Sequence, residues 1–414
     1  MPIQGLRDTS NFVADQRPKN FREGVMLLYP NGKAPLTALT SLMKSESVDD
    51  PEFAWWEKEL SDRRVPLTAS ISSTSATTIT ISNTGDYASF YKGLKDGDLL
   101  LLEGGTNQEI LRVNGDPSSE VVTVARAQSG STADTLTYNG GGVNPNVLVI
   151  GSAYEQGSQA PTGVSYDPTK RYNYTQIFRN TLEMTRTASK TRLRTGDQVK
   201  EAKRECLEYH TIDMERAFFL GRRAETTLNG KPINYTGGIV NFIDSNQIVN
   251  ATVSGAGMDM MELEDHIRLA FKYGSAEKMC FAGDLALQCL NQIARKNSHY
   301  HMKMGEKEYG MNVTKFFTPF GDLVIKTHPL FVQNAGGTTG STAYYGMNSW
   351  MMILDMAEVK YRYLKDSDTK YQPDLEANGL DGMKSGYLTE CGLEIHFPKA
   401  HYLIKRMIAG AADY

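Results

Sequence analysis

The sequence predicts an α+β protein that carries a separate all-β segment inside its chain. Three observations lead there. Residues 67–150 are a Ser/Thr-rich run of short strands, one uninterrupted amphipathic helix starts at Asp197, and the C-terminal half alternates helices with strands. A length of 414 residues allows two or three domains. With 40% hydrophobic and 22% charged residues, the chain should bury a core rather than stay disordered.

Residues 1–34 are polar, hold the Tyr29-Pro30-Asn31-Gly32 turn signal and lack sustained periodicity, so they read as an extended arm. Pro35 suits a first helical position, and Leu36, Leu39, Leu42 and Met43 share a face; a short helix therefore closes an arm region over 1–51. Phe53-Ala54-Trp55-Trp56 follows, with two of the three tryptophans of the chain. Trp55 and Trp56 are candidates for a subunit interface, since buried aromatics carry much interface energy, and equally for core packing.

Composition changes at Pro66. Ten of the fifteen residues from Thr68 to Ser82 are Ser or Thr, with Ile71, Ile79 and Ile81 among them. Strands are expected at Asp98–Glu103, Glu109–Val113, Val121–Ala125 and Val147–Ile150. Asp96-Gly97, Gly104-Gly105, Asn114-Gly115 and Gly140-Gly141-Gly142 are the turn signals between them. The expectation is a β-barrel or β-sandwich over 67–150, joined by a linker at 151–169 to the rest of the fold.

Tyr172–Thr187 reads as extended and runs into a basic cluster, Arg186, Lys190, Arg192 and Arg194, with no acid between Glu183 and Asp197. Such a cluster can contact DNA, pair with an acidic patch on a neighbour, or simply be a solvated loop. The long helix comes next. Thr195 with Gln198 fits a capping box, and Asp197 suits the positive helix end. Cys206, Leu207, His210, Met214, Ala217 and Phe218 recur at helical spacing, and to Arg223 the rod would measure about 40 Å at about 1.5 Å per residue. Further helices are expected from Asp259 to Gly274 and over Asp284–Lys296. Strands are expected at Lys278–Phe281, Val313–Phe317, Leu323–His328, Trp350–Leu354, Val359–Leu364, Gly392–Phe397 and Tyr402–Met407, with a polar loop over Asp366–Lys384.

Chemistry is sparse. The formal net charge of −4 is wrong for a protein that wraps nucleic acid by neutralising phosphates, so DNA contact should be weak and local. Cys206, Cys280, Cys289 and Cys391 form no CxxC pair and no disulfide framework, which suits reduced thiols in a chain folded in a cytoplasm. No run approaches a membrane span. A P-loop, a GxSxG elbow and an HExxH helix are all missing, and Gly255-Ala256-Gly257 lacks the third glycine of a dinucleotide fingerprint. His299-Tyr300-His301 puts two imidazoles on one strand face, yet no third ligand lies at metal spacing. No catalytic, cofactor or metal residue is assigned.

The order of elements carries more than any motif. The stretches Ala34-Pro35-Leu36-Thr37-Ala38-Leu39 with Trp55-Trp56-Glu57, Gly97-Asp98-Leu99-Leu100 with Glu109–Val113, Tyr172-Asn173-Tyr174-Thr175-Gln176-Ile177-Phe178, Glu215–Gly221, and Leu393-Glu394 with Lys399-Ala400-His401 are similar to one family. The chain resembles the tailed-bacteriophage major capsid proteins of the Hong Kong-phage-type fold, in the subgroup with a β-rich insertion before the spine helix.

That resemblance implies a non-enzymatic subunit, without cofactor, that tiles an icosahedral shell around double-stranded DNA as hexamers and pentamers of itself. It also implies domains. Residues 52–66 and 170–195 would be the legs of an extended loop lying over a neighbour, with the insertion at 67–150 between them. Residues 196–224 and 351–414 would form a peripheral domain and 225–350 an axial domain. The basic cluster then falls on an intersubunit leg, which favours salt bridges over DNA. Expected partners are a portal, a separate scaffolding protein and a decoration protein, with assembly in the host cytoplasm and no membrane. Two other readings stand beside it: an encapsulin-like compartment shell, and a glycan-binding or hydrolytic protein using the Ser/Thr-rich β segment.

Overall fold

The computed structural model describes residues 45–407 except 59–62, 105–106, 139–144, 192–196, 252–257, 297–301, 309–310 and 334–345. The expected arm over 1–34, the helix over Pro35–Met43 and the His299-Tyr300-His301 pair lie outside the described residues. The chain divides into two compact units, Trp56–Thr169 and the segments up to Trp55 and from Lys170 onward.

Unit Trp56–Thr169 is a six-stranded antiparallel sheet in the order Arg64–Pro66, Asn146–Ser152, Asp98–Glu103, Ile110–Val113, Val121–Gln128, Thr78–Thr80. Leu67 bridges Ile81, and the Ser82 N–H donates to the Pro66 carbonyl at 2.8 Å, so the first and last strands meet and the sheet closes on itself. Closure removes the open edges that a flat sheet would expose. Strand alternation explains the interior: Asp98–Glu103 and Val121–Val124 bury every second side chain. Val65, Leu67, Ile79, Ile81, Leu100, Leu102, Leu111, Val113, Val122, Val124 and Val147 fill the core.

One end of that core is polar. Glu109, with no solvent exposure, takes a bidentate pair from Arg126 at 2.7 and 2.6 Å and the N–H groups of Ala127 and Asp134 at 2.9 Å. Arg126 also donates to the carbonyls of Ser73 and Asp134. Burial alone would raise the Glu109 pKa, but Arg126 and the two backbone donors outweigh it and hold the carboxyl below its ordinary value.

The larger unit holds two mixed sheets joined by one helix. The first runs Ser45–Val48, Val359–Leu364, Gly382–Ile395, Gln176–Thr185, with Lys370–Gln372 also on the third strand. Ser45–Val48 is parallel to its neighbour, and Gln176–Thr185 is antiparallel along all ten residues. The second has seven strands: Ile248–Asn250, Tyr402–Lys405, Met351–Leu354, Glu277–Ala282, Gly321–Thr327, Met311–Thr318, Met302–Glu308. Its central strands are covered on both faces, which is why Met351–Leu354 reads as an unbroken apolar run. One face packs helices α2 (Met260–Ala270) and α3 (Asp284–Lys296) through Leu263, Ile267, Cys289 and Leu290.

Several boundaries differ from expectation. The segment read as a polar loop over Asp366–Lys384 contains the strand Lys370–Gln372 and the start of the fourteen-residue strand Gly382–Ile395. Cross-strand hydrogen bonding carries that start, because Gly382, Lys384 and Gly386 supply little apolar signal. Arg186–Lys190 is a short helix capped by the Thr185 hydroxyl, not a loop. Gln176–Thr185, expected within a loop leg, is a strand of the main sheet.

Candidate functional site

The long helix expected from Asp197 to Arg223 is the 23-residue α1 (Gln198–Leu220), about 34 Å at about 1.5 Å per residue. Its cap is Asp197, whose carboxylate accepts from the N–H groups of Val199 and Lys200 at 3.0 and 3.4 Å. Thr195, the expected cap, lies outside the described residues. The inner face is Cys206, His210, Met214, Glu215, Phe218 and Phe219, while Leu207, expected inside, is 37% exposed.

Two imidazoles pin this rod. His210 reaches Asn180 at 2.8 Å and Thr389 at 2.7 Å, one on each of two paired strands, and burial lowers its pKa. Farther along, Glu215 and His328 meet at 2.8 Å with no exposure on either side chain. His328 Nδ1 accepts the Leu330 N–H at 3.2 Å, so its Nε2–H donates to Glu215. Phe219, Phe281 and Phe331 ring that imidazole, which locks α1 to the seven-stranded sheet. Phe218 meanwhile packs on Phe178 and Tyr361 of the other sheet. The end of α1 thus clamps both sheets.

Close backbone contact follows the helix. A Cβ at Gly221 would stand 2.5 Å from the carbonyl oxygens of Ala217 and Thr236, and one at Gly238 would stand 2.6 Å from that of Ala217. Buried Asn173 ties the knot: its Nδ2 donates to the Leu393 and Gly237 carbonyls at 2.7 and 3.0 Å, and its Oδ1 accepts from Gly237 N–H at 2.7 Å and Tyr174 N–H at 2.9 Å. Arg223 lies 3.8 Å over the Tyr172 ring and donates to the Tyr172 carbonyl.

A second polar cluster holds Ser45–Val48. Arg362 bridges Glu46 and Glu394, and His396 contacts Glu394 and, at 3.2 Å, Glu358. Burial would raise the Glu394 pKa, but His396 and Arg362 pull it down to about 2. Beneath it, the Lys278 ammonium donates to the carbonyls of Ala270, Tyr273 and Ala400, closing the end of α2. Burial lowers the Lys278 pKa to about 8 against the opposing pull of Asp355. His401 accepts the Asp355 N–H through Nδ1 and donates to the His396 carbonyl; burial takes its pKa to about 4. These networks join side chains and backbone groups from separate elements of the fold. They are structural ties.

The six expected contact residues part company. Trp55 is buried among Phe53, Phe242 and His396, with ring centroids at 6.2, 5.9 and 5.9 Å. Trp56 is 66% exposed. Arg186 pairs within the chain to Asp381 at 2.6 Å, and Lys190 is exposed at the end of its short helix. Arg192 and Arg194 lie outside the described residues. Sequence reasoning missed Asn173 and the Glu215–His328 pair, whose partners are far apart in the chain. It also missed the Ala224–Tyr235 hairpin, which Asn229-Gly230 announces. All four cysteines are buried free thiols. Among the described residues no group of three or more His, Cys, Asp or Glu could hold a metal, and no helix is long and apolar enough to cross a membrane.

Comparison with known proteins gives the function these ties serve. Residues 7–407 match the SU10 major capsid protein family. A major capsid protein of Pseudomonas phage PaMx41 is 28% identical over 379 residues, covering 89% of this chain and 84% of that one. Among solved structures, the capsid of a native GTA particle covers 98% of this chain and all of its own, at 8% identity and a TM-score of 0.45. An encapsulin from Synechococcus elongatus covers 59% of this chain and 78% of its own, at 12% identity and a TM-score of 0.41. The chain therefore acts as a structural shell subunit of a phage, assembling with copies of itself into the virion capsid, and not as an enzyme, which sets aside the hydrolytic alternative. It belongs to the SU10 major capsid protein family.

Proposed function

We propose that this chain builds a closed icosahedral shell, as hexamers and pentamers, around the double-stranded DNA of a tailed phage. The observation that carries the reading is the family match over residues 7–407. The clamped end of α1 supports it physically, because a lattice subunit must pass force between neighbours without shearing its own sheets. In this reading α1 is the spine of a peripheral domain with 351–414, and residues around 225–350 form the axial domain. Glu52–Glu57 and Thr169–Tyr174, which pair as a two-stranded ribbon, are the legs of the extended loop. Trp56–Thr169 is an inserted domain. Trp56, Lys190, Arg192 and Arg194 reach neighbouring copies, while Trp55 and Arg186 serve their own chain.

A net charge of −4 keeps contact with packaged DNA weak and salt-sensitive. A portal, a separate scaffolding protein and a decoration protein complete the particle, which assembles in the host cytoplasm. Overexpression followed by negative-stain electron microscopy tests the reading. Closed shells, tubes or capsomer rings are expected. A chain that stays monomeric at every concentration and salt, with or without phage lysate, would overturn it.

A further inference from the structure

Just past α1, Ala224–Leu228 folds back on Lys231–Tyr235. The turn is Asn229-Gly230, with φ of 52° and 74°, the left-handed pair that a tight two-residue hairpin requires. The hairpin is a two-stranded sheet of its own. In an antiparallel pair, residues opposite one another share a face. Ala224 with Tyr235, Thr226 with Ile233 and Leu228 with Lys231 therefore line one face, and Glu225 with Asn234 and Thr227 with Pro232 line the other.

The two faces differ in chemistry. The polar one leads back to its own chain, where the Tyr174 hydroxyl donates to Glu225 at 3.5 Å. On the apolar one, Leu228 is 60% and Tyr235 41% exposed. Ile233 between them is half-buried; a lone two-stranded ribbon is marginal in water, and exposed apolar side chains such as Leu228 and Tyr235 gain stability when covered. The tight turn fixes the register, so the row is already arranged for a partner.

We infer that this apolar face is a contact between copies of the chain in the assembled shell, which rests on the assembly reading above. Size selects the occupant. Five-residue strands are about 17 Å long and the pair about 10 Å wide, so the face offers about 170 Å². A free-standing complex needs about 800 Å² from each partner. So small a contact holds only where other contacts already keep the same two molecules together, as in a lattice of identical subunits. Lys231 is the only charge on the face, so it fits a neutral apolar surface better than a phosphate backbone.

The test uses the full chain with Leu228 replaced by the photocrosslinker p-benzoylphenylalanine. Isotopically heavy and light copies are mixed before assembly, and the particles are irradiated and digested. Crosslinked peptides joining a heavy to a light copy are expected, and the same probe at Thr227, on the opposite face, should give at least fivefold fewer. Crosslinks confined to single copies, or equal yields from both faces, would overturn the inference while leaving shell formation intact. In parallel, Leu228→Asp should cut the assembled fraction at least tenfold with the melting temperature of the subunit unchanged, and Thr227→Asp should not. Normal assembly by both variants would also overturn it. Should the unmodified chain form no particles, the assembly reading itself fails, and this one with it.

Discussion

In the barrel, Asp98–Glu103, Ile110–Val113 and Val121–Gln128 pair in the order they are synthesised, whereas the larger unit joins Ser45 to Tyr361 and Gln176 to Cys391. The first arrangement closes short loops and the second long ones, and loop closure must be met before distant contacts reward it. The polar interior follows suit. The barrel seals its end with one buried ion pair drawn from neighbouring strands, and the larger unit spreads its polar ties over residues from five or more segments. The smaller unit keeps even its longest pairing, Arg64–Pro66 with Asn146–Ser152, inside residues 56–169, whereas the larger one is stitched from pieces at both ends of the described chain.

The largest effect is expected at Glu109. Glu109→Ala strands Arg126 in the barrel, and removing one partner of a buried pair costs about 3–5 kcal/mol. Calorimetry should show the barrel transition falling while that of the larger unit stays. A shift of both together would show that the units do not melt independently.

Acid should do the reverse. The His401 pKa is held near 4 by burial, with Lys278 adding to the effect and Asp355 opposing it. Between the ordinary value of about 6.5 and that value, the unfolded chain takes up a proton that the folded one refuses. Stability of the larger unit is therefore lost as pH falls through this window, by about 3 kcal/mol at about 1.4 kcal/mol per pH unit. Glu109 is held below its ordinary pKa and so does not weaken its own unit before the carboxylate range is reached, and melts from pH 7 to 5 should weaken the larger unit first. Below that, protonation of Glu394, whose pKa is about 2, releases its tie to Arg362.

Two smaller effects are expected within the larger unit. Asn173→Ala leaves the Leu393 and Gly237 groups buried without partners and should cost the larger unit about 2–3 kcal/mol, read from urea unfolding. Asp197→Ala removes the α1 cap at about 1 kcal/mol, and Asp197→Asn should restore nearly all of it.

What the sequence shows follows the same divide. The strand Asp98–Glu103 was legible to the residue because its alternation is local, and so was helix α3 at Asp284–Lys296. The rod of α1 could be read from its spacing, its cap only to within two residues. Ser45–Val48 gave no signal, since its four residues gain their strand from pairing with Val359–Leu364. Glu215 and His328 look unremarkable apart, and nothing in either neighbourhood says that they meet. Of the contact candidates, Trp55 and Trp56 are adjacent in sequence but one is buried and the other is exposed, a difference that strand alternation in Glu52–Glu57 sets and composition cannot.

The pairing of Glu52–Glu57 with Thr169–Tyr174 has a practical consequence. Hydrogen-bonded strands run about 5 Å apart, so the chain entering residues 58–168 and the chain leaving them stand side by side. Any foreign domain whose ends lie that close could be spliced in there, which turns a viral coat subunit into a socket for displaying cargo at regular intervals.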